Sequence, residues 1–416
     1  MIIDTKKYGG KCICGREHRV ATKMCVIAPG SLAKIDEYME QCGIEGKTCA
    51  VYGTNSYYAV NMKHPRVSQE VVLNSKGLHA TEVSTAELSA RIAPGTQVLI
   101  AVGSGSVHDI VRFCAAKHGL RFVSVPTAAS VDGFCSTVAA MTWEGYKKTM
   151  SAVAPELVVA DIDIIKAAPA YLTASGVGDM LGKYIALADW RIAHEVAGEH
   201  FCPVIHSIMR EATDTVMENC PATLAGNEAA FEAIVYGLLM SGLAMQMMGN
   251  SRPASGAEHH ISHIIETQPV GLCARSDALH GEKVGVGTIL AAAEYKRLAQ
   301  LEGIESRIVP YEPLDRAWME AFFGDRLYAA CDEENRNDCL AAVTPEALYE
   351  HWGAVKAIVA DIPEPNKICQ VLSALGGKRC LADIGVDKAL LPVLLDTSPV
   401  IRNRLTLMRM RRMIRE

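Results

Sequence analysis

Long uninterrupted apolar runs are missing from this sequence. The longest apolar stretch, Ala233 to Met248, is broken by Gly237, Ser241, Gly242 and Gln246, so it reads as a buried helix rather than a membrane span. The first residues, Met1-Ile2-Ile3-Asp4-Thr5-Lys6-Lys7, contain no apolar signal segment. Basic excess is missing too. A net charge of -6 gives neither a nucleic-acid footprint nor a membrane-surface pattern. Low-complexity tracts and clear internal repeats are absent, which argues against disorder and solenoids. No Cys-x-x-Cys pair occurs among the 14 scattered cysteines, which are expected to be free thiols in a reducing cytoplasm. Small-molecule chemistry remains, with neither nucleic acid nor membrane insertion expected.

A chain of 416 residues, half of them hydrophobic, suits two domains with a core each. Thr48 to Tyr52, Gln97 to Val102, Arg121 to Val125 and Leu157 to Ala160 are short apolar runs that read as buried strands. Between the second and third, Ser106 to Lys117 has helical spacing, with Val107, Ile110, Val111 and Cys114 on one face. Strand, helix, strand of this length implies a parallel sheet covered by helices. Strand signals fade after Pro169, while Leu224 to Met248 and Glu282 to Ala299 lack proline and are rich in good helix formers. The expected fold is an α/β, Rossmann-like parallel-sheet domain over residues 1–165 and an all-α domain over 166–416, with the active site in the cleft between them.

Gly103-Ser104-Gly105-Ser106 follows a buried strand and opens a helix, where backbone N–H groups can face a phosphate. The bland alternative is a tight connection, and the full six-residue glycine fingerprint is missing. The next strand runs into Pro126-Thr127-Ala128-Ala129-Ser130-Val131-Asp132-Gly133-Phe134-Cys135-Ser136. Small hydroxyl residues there sit where open α/β sheets bind ligands, or else satisfy the loop's own backbone. Asp179 lies in a helical stretch, Thr173 to His194, where it is either one half of an ion pair with Lys183 or a buried carboxylate needing a counter-charge. His259 and His263 are four apart on one helix face, and His280-Gly281-Glu282 opens a further helix. The glutamate precedes His259, which excludes the metalloprotease pattern. One carboxylate and two imidazoles would make an open divalent-metal site, with zinc, nickel and iron all admitted. Cys12, Cys14 and His18 hint at a second metal site, but no Cys-x-x-Cys pair completes it and none is assigned. The Arg-rich end, Arg402 to Arg415, reads as the solvated face of a terminal helix.

The order of these motifs, with Gly178-Asp179, Ser251-Arg252-Pro253-Ala254-Ser255-Gly256-Ala257-Glu258-His259 and His280-Gly281-Glu282-Lys283, resembles the glycerol-1-phosphate dehydrogenases. These belong to the iron-containing alcohol dehydrogenase and dehydroquinate synthase superfamily, and the resemblance spans roughly residues 45 to 300. It implies reversible reduction of dihydroxyacetone phosphate to sn-glycerol 1-phosphate by NAD(H) or NADP(H), with one divalent metal, zinc first. Gly103, Ser104, Gly105, Ser106, Val107, Thr127, Ala128, Ala129, Ser130 and Ser136 match cofactor contacts. Gly53 stands where an acidic residue for the adenosine end is expected. Asp179, His259 and His280 match metal ligands; Asp132 and His263 match substrate contacts, His263 relaying a proton and Asp132 orienting the substrate, with Asp179 also near substrate. Arg252 and Lys283 are the phosphate candidates by charge alone. A polyol (glycerol-type) dehydrogenase and a dehydroquinate-synthase-like lyase are the alternatives on the same fold. A homo-oligomer is expected.

Overall fold

The computed structural model describes residues 1–59, 62–143 and 146–415. The chain divides into two compact units, Met1–Met180 with Asp214–Asn250, and Leu181–Thr213 with Ser251–Glu416. The first is built on a seven-stranded sheet of β1 (Ile2–Asp4), β2 (Met24–Ala28), β3 (Thr48–Gly53), β4 (Gln69–Leu73), β5 (Val98–Gly103), β6 (Arg121–Pro126) and β7 (Leu157–Asp161). The strands lie in the order β1-β2-β7-β6-β5-β3-β4, all neighbours parallel except β1 against β2.

All four expected strands are present, and the alternation of their side chains explains the doubly covered sheet. Ala50, Tyr52, Ile100 and Val102 join one core, with Leu32, Ile35 and Met39. Their neighbours Cys49, Val51, Leu99 and Ala101 join the other. Against that second face lies α1 (Gly105–His118), which buries Val107, Ile110, Val111 and Cys114 as its spacing predicts. Strands β1, β2 and β4 were not expected from the sequence. Neither was the antiparallel hairpin of Val138–Trp143 with Tyr146–Ser151. A salt-linked cluster ties three strand starts together: Glu156 accepts from Arg121 at 2.7 Å and from Lys23 at 2.8 Å.

After β7 come α2 (Ala170–Leu181), α3 (Lys183–Ala197), α4 (Glu228–Met248), α5 (Ala257–Thr267) and α6 (His280–Ala299). Beyond Asp161 the described residues contain no strand, only an isolated bridge of Ile308 to Ile414. Helix α4 is long and apolar enough to cross a membrane by length and composition, but 72% of its apolar window is buried inside the protein. It belongs to the first unit, so the division is not a single cut near residue 165. Hydrogen bonds fix it there: Gln246 receives the Ala21 and Thr22 amides at 2.9 and 3.3 Å, and Ser241 donates to Asp132 at 2.7 Å. The Arg-rich end is corrected as well. It is not a solvated helix face, because Arg409 is fully buried on Asp338 and Asn335, both at 2.7 Å, and Arg411 pairs with Glu294 and Asp396.

Candidate active site

In the first unit, the residues expected to hold a nucleotide gather at the C-terminal ends of β3, β5 and β6. Gly103 ends β5 and Ser104 precedes α1, whose first-turn amides have no acceptor within the helix. The Thr127 amide donates to the Gly103 carbonyl at 3.1 Å, so the exit of β6 lies beside the glycine turn. Underneath is His108, which is buried and held at a pKa of about 3 by desolvation. A neutral ring has one N–H. The Ser104 carbonyl, 3.0 Å from Nδ1, can only accept; hence Nδ1 donates there and Nε2 accepts from the Ser124 hydroxyl at 2.9 Å. The imidazole thus bolts the turn to β6.

The loop after β6 is held from two sides. Arg112, fully buried, donates to the carbonyls of Val138 at 2.9 Å, Gly133 at 2.6 Å and Phe134 at 3.1 Å. On the other side α2 presses against Ala128–Ser130. The Ser175 hydroxyl donates to the Ser130 carbonyl at 3.2 Å, and a Cβ on Gly176 would lie 2.8 Å from the Ala129 carbonyl carbon. Only glycine allows this approach. Asp179, one turn on, is fully buried and accepts the Asp132 amide at 3.0 Å. Ser136 exchanges hydrogen bonds with Val138, its hydroxyl donating at 3.1 Å and accepting at 3.0 Å. Gly53 closes β3, its amide 3.2 Å from the Ser56 hydroxyl, which donates to the Val102 carbonyl at 2.9 Å.

In the second unit, His259 and His263 project from α5 and His280 from the first turn of α6. Their ring centroids stand 5.3 to 5.9 Å apart. The start of α5 is held by buried groups: Asp189 accepts the Ala257 amide at 2.9 Å, and Lys183 donates to the Ala254 carbonyl at 3.0 Å. A Cβ on Gly256 would meet Asp189, Ala186 and Glu258 within 2.9 Å, so glycine is required at this join too.

Two carboxylates orient the three rings. Glu258 Oε1 stands 2.7 Å from His259 Nδ1; Glu266 Oε1 stands 3.1 Å from His280 Nδ1, and its Oε2 3.3 Å from His263 Nδ1. Each Nδ1 therefore carries the proton in the neutral ring, which places the basic lone pair on Nε2, the atom that a metal takes. His263, desolvated, is lowered to about 4 despite Glu266. Burial alone would raise Glu266, but His280, His263 and Lys283 outweigh it and hold the carboxyl well below its usual range. Glu258 is the opposite case: burial pushes it up to about 7, and among the described residues its Oε2 has no hydrogen-bond partner. A buried carboxylate oxygen without a partner is costly, and a cation on the far side of the His259 ring would relieve that cost. The donor chemistry fits a divalent ion on imidazole nitrogen. One ligand atom each of His263, Glu266 and His280 also lie within 4.8 Å of one another. His260 takes no part, being buried with neither ring nitrogen bonded among the described residues.

Glu258 and Glu266 are the residues that the sequence reading misses as orienting groups. Glu266 has a legible signal, its position three residues after His263 on one helix face. The two phosphate candidates are both paired within the protein. Arg252 is buried and bound to Glu199 at 2.8 Å and to the Leu405 carbonyl at 2.8 Å, and Lys283 pairs with Glu266 at 3.1 Å.

A family model described as iron-containing alcohol dehydrogenase matches residues 26–169, the stretch that carries the glycine turn and the hydroxyl loop. Solved structures agree on the fold. A probable glycerol dehydrogenase from Sinorhizobium meliloti aligns with a TM-score of 0.61 at 18% identity, over 92% of this chain and 90% of the other. A sulfoacetaldehyde reductase from Bifidobacterium kashiwanohense, in complex with NAD+, gives 0.61 at 16%, over 92% and 91%. The sequence relatives are more specific. A glycerol-1-phosphate dehydrogenase [NAD(P)+] from Halalkalibacterium halodurans is 31% identical over 428 residues, 98% of this chain and 97% of the relative. One from Bacillus subtilis is 46% identical over 209 residues, 50% of this chain and 53% of the relative. The fold is thus that of the iron-containing alcohol dehydrogenases. Within them the chain belongs to the glycerol-1-phosphate dehydrogenase family, and it is an NAD(P)-dependent oxidoreductase. A nicotinamide cofactor, a divalent metal and a small-molecule substrate are in keeping with that family.

Proposed function

We propose that this enzyme reversibly reduces dihydroxyacetone phosphate to sn-glycerol 1-phosphate with NADH or NADPH. The observation that carries the reading is the likeness to glycerol-1-phosphate dehydrogenases over 98% of the chain. Asp179, His259 and His280 are proposed to hold one divalent metal, zinc first, with nickel and iron served by the same donors. Gly53, Gly103 to Val107, Thr127 to Ser130 and Ser136 are proposed to hold the cofactor in the α/β domain, the helical domain supplying most of the metal and substrate contacts. When bound, the nicotinamide supplies hydride and the metal a Lewis acid for the ketone oxygen.

The chain's own groups supply alignment and a proton path. Asp132, its Oδ2 held by Ser241, orients the substrate hydroxyl. His263, its Nδ1 held by Glu266, moves the proton between substrate oxygen and water through Nε2. Glu258 and Glu266 keep the three rings in one tautomer and so support the assignment. A reducing cytoplasm and a homo-oligomer complete the proposal, the former supported by cysteines that are all free.

The test is oxidation of NADH and of NADPH with dihydroxyacetone phosphate, against dihydroxyacetone and glyceraldehyde, before and after chelation. Turnover only with the phosphorylated ketone, lost on chelation and restored by metal, is expected. Preference for the unphosphorylated ketone would replace the reading with a polyol dehydrogenase, and no net cofactor turnover would point to the lyase.

A further inference from the structure

The segment Cys12-Ile13-Cys14-Gly15-Arg16-Glu17-His18 plays no part in the dehydrogenase reading. It folds as a hairpin of two-residue strands, Gly10–Lys11 and Glu17–His18, closed by the Cys12 amide on the Arg16 carbonyl at 2.9 Å and the Gly15 amide on the Cys12 carbonyl at 3.0 Å. Hairpins this short are not stable alone. Apolar packing is no general answer, since Ile13 between the cysteines is 84% exposed.

The side chains offer another means of holding it. His18 is buried, with Nδ1 at 2.8 Å from the Met247 carbonyl, near the end of α4. That oxygen can only accept, so Nδ1 carries the proton and the lone pair is on Nε2, which stands 3.5 Å from Cys14 Sγ. Cys12, Cys14 and His18 each present one ligand atom, all within 4.8 Å of one another. In tetrahedral zinc, with Zn–S about 2.3 Å and Zn–N about 2.0–2.1 Å, the sulfur-to-nitrogen edge is roughly 3.5–3.6 Å. The Cys14–His18 pair stands at that separation, and the histidine has the backbone-carbonyl support that zinc-bound imidazoles ordinarily have.

We propose that Cys12, Cys14 and His18 bind a zinc ion of the structural kind, supplying three ligands of a tetrahedral site apart from hydride transfer. The ion would pin the hairpin to the end of α4. There Gln246 also holds Ala21, Thr22 and the Cys135 carbonyl at the end of the Asp132 turn. The competing account is a plain S–H···N hydrogen bond from Cys14 to His18, which makes no use of Cys12.

The experiment uses the full-length enzyme with zinc replaced by cobalt. A thiolate-to-cobalt charge-transfer band is expected, a signature that an Asp/His/His site cannot give. Cys14→Ser and His18→Asn should each lose the band and one metal equivalent per chain and lower the melting temperature, with turnover of NAD(P)H undiminished. His280→Ala should keep the band while losing activity, so failure of this proposal and failure of the dehydrogenase reading are told apart. Should the hairpin variants not fold, zinc-edge X-ray absorption of the wild-type enzyme decides: sulfur neighbours at about 2.3 Å support the site. Wild-type protein with only nitrogen and oxygen neighbours, or Cys14→Ser with its full metal complement and band, overturns it.

Discussion

Replacing Gly176 by alanine puts a methyl group between two stretches of backbone that already touch. The new Cβ would collide first with the Ala129 carbonyl oxygen, and would lie 2.8 Å from the Ala129 carbonyl carbon and 3.2 Å from the Ser130 nitrogen. Non-bonded carbons rest at about 3.5–4.0 Å, so the carbonyl carbon alone requires α2 or the loop to move by roughly 0.7–1.2 Å, and the nearer oxygen requires at least as much. No rotamer change can absorb this, because the obstructing atoms are main chain. Overpacking of this kind costs about 1–3 kcal/mol, against about 1 kcal/mol gained from alanine's better helix propensity. The net destabilisation is modest; the displacement matters more. Residues Ala128 to Ser130 are proposed to contact the cofactor, and a 1 Å misplacement is worth up to about 100-fold in rate. Gly176→Ala should therefore raise the KM for NADH or NADPH by roughly tenfold or more, beyond any change in the KM for dihydroxyacetone phosphate. Gly353→Ala is the control, since a Cβ there meets nothing within 4 Å and should be neutral or slightly stabilising. A Gly176→Ala enzyme with wild-type cofactor KM and melting temperature would refute both the packing argument and the place given to this loop.

Glu266→Gln keeps the shape and removes the charge that the His263 and His280 Nδ1 protons face; metal affinity should fall by about 10- to 100-fold, read by metal titration, with activity recovered in excess metal. His280→Ala should abolish both stoichiometric metal at the proposed catalytic site and activity, and full activity in a metal-free variant would sink the mechanism. Glu156, whose bidentate bond from Arg121 outweighs burial and with Lys23 holds it at about 2 against a usual 4.5, contributes stability above pH 4.5 that is lost as pH falls through 2. The group is partly exposed, so the shift is discounted to about 1–2 kcal/mol. Acid unfolding should show Glu156→Gln less stable than wild type at neutral pH, the gap narrowing as pH falls toward 2 and closing below it; a gap that persists there would mean the pair acts by shape rather than charge.

The central strands were legible because both faces of the sheet are covered. Burial on two sides demands apolar residues at every position, and Val98-Leu99-Ile100-Ala101-Val102 can be read as a strand with no knowledge of its partners. At the sheet's edge this rule fails. Gln69-Glu70 opens β4 where only alternate side chains are covered, and the hairpin strand Val138–Trp143 buries Ala139 and Met141 but exposes Ala140. Such segments are specified by pairing, which lies outside any local window. The same holds for α4. Its composition announces a buried helix, but long-range bonds such as Ser241–Asp132 and Gln246–Thr22 are what tie it to the α/β unit, more than 100 residues after the turn it supports.

The candidate site divides along the same line, between what one residue says and what its neighbours must supply. Three histidines on two helices were readable as metal or proton chemistry from spacing alone. Their tautomers were not, because a ring nitrogen is assigned by the group it faces. Two carboxylates in different electrostatic settings do this. Glu266 faces Lys283 and two imidazole N–H groups, so it is an anion at any working pH, able to orient two rings at once. Glu258 faces one imidazole and the Gly256 amide in a buried setting where desolvation outweighs that amide and the charges of Lys183 and Arg404, so further positive charge would favour its anion. A divalent ion on Nε2 of His259 would add that charge through the ring itself. Removing Glu258 and removing the ion would then weaken the same arrangement from its two ends, which is why the carboxylate beside His259 belongs to the metal chemistry although it need never touch the metal.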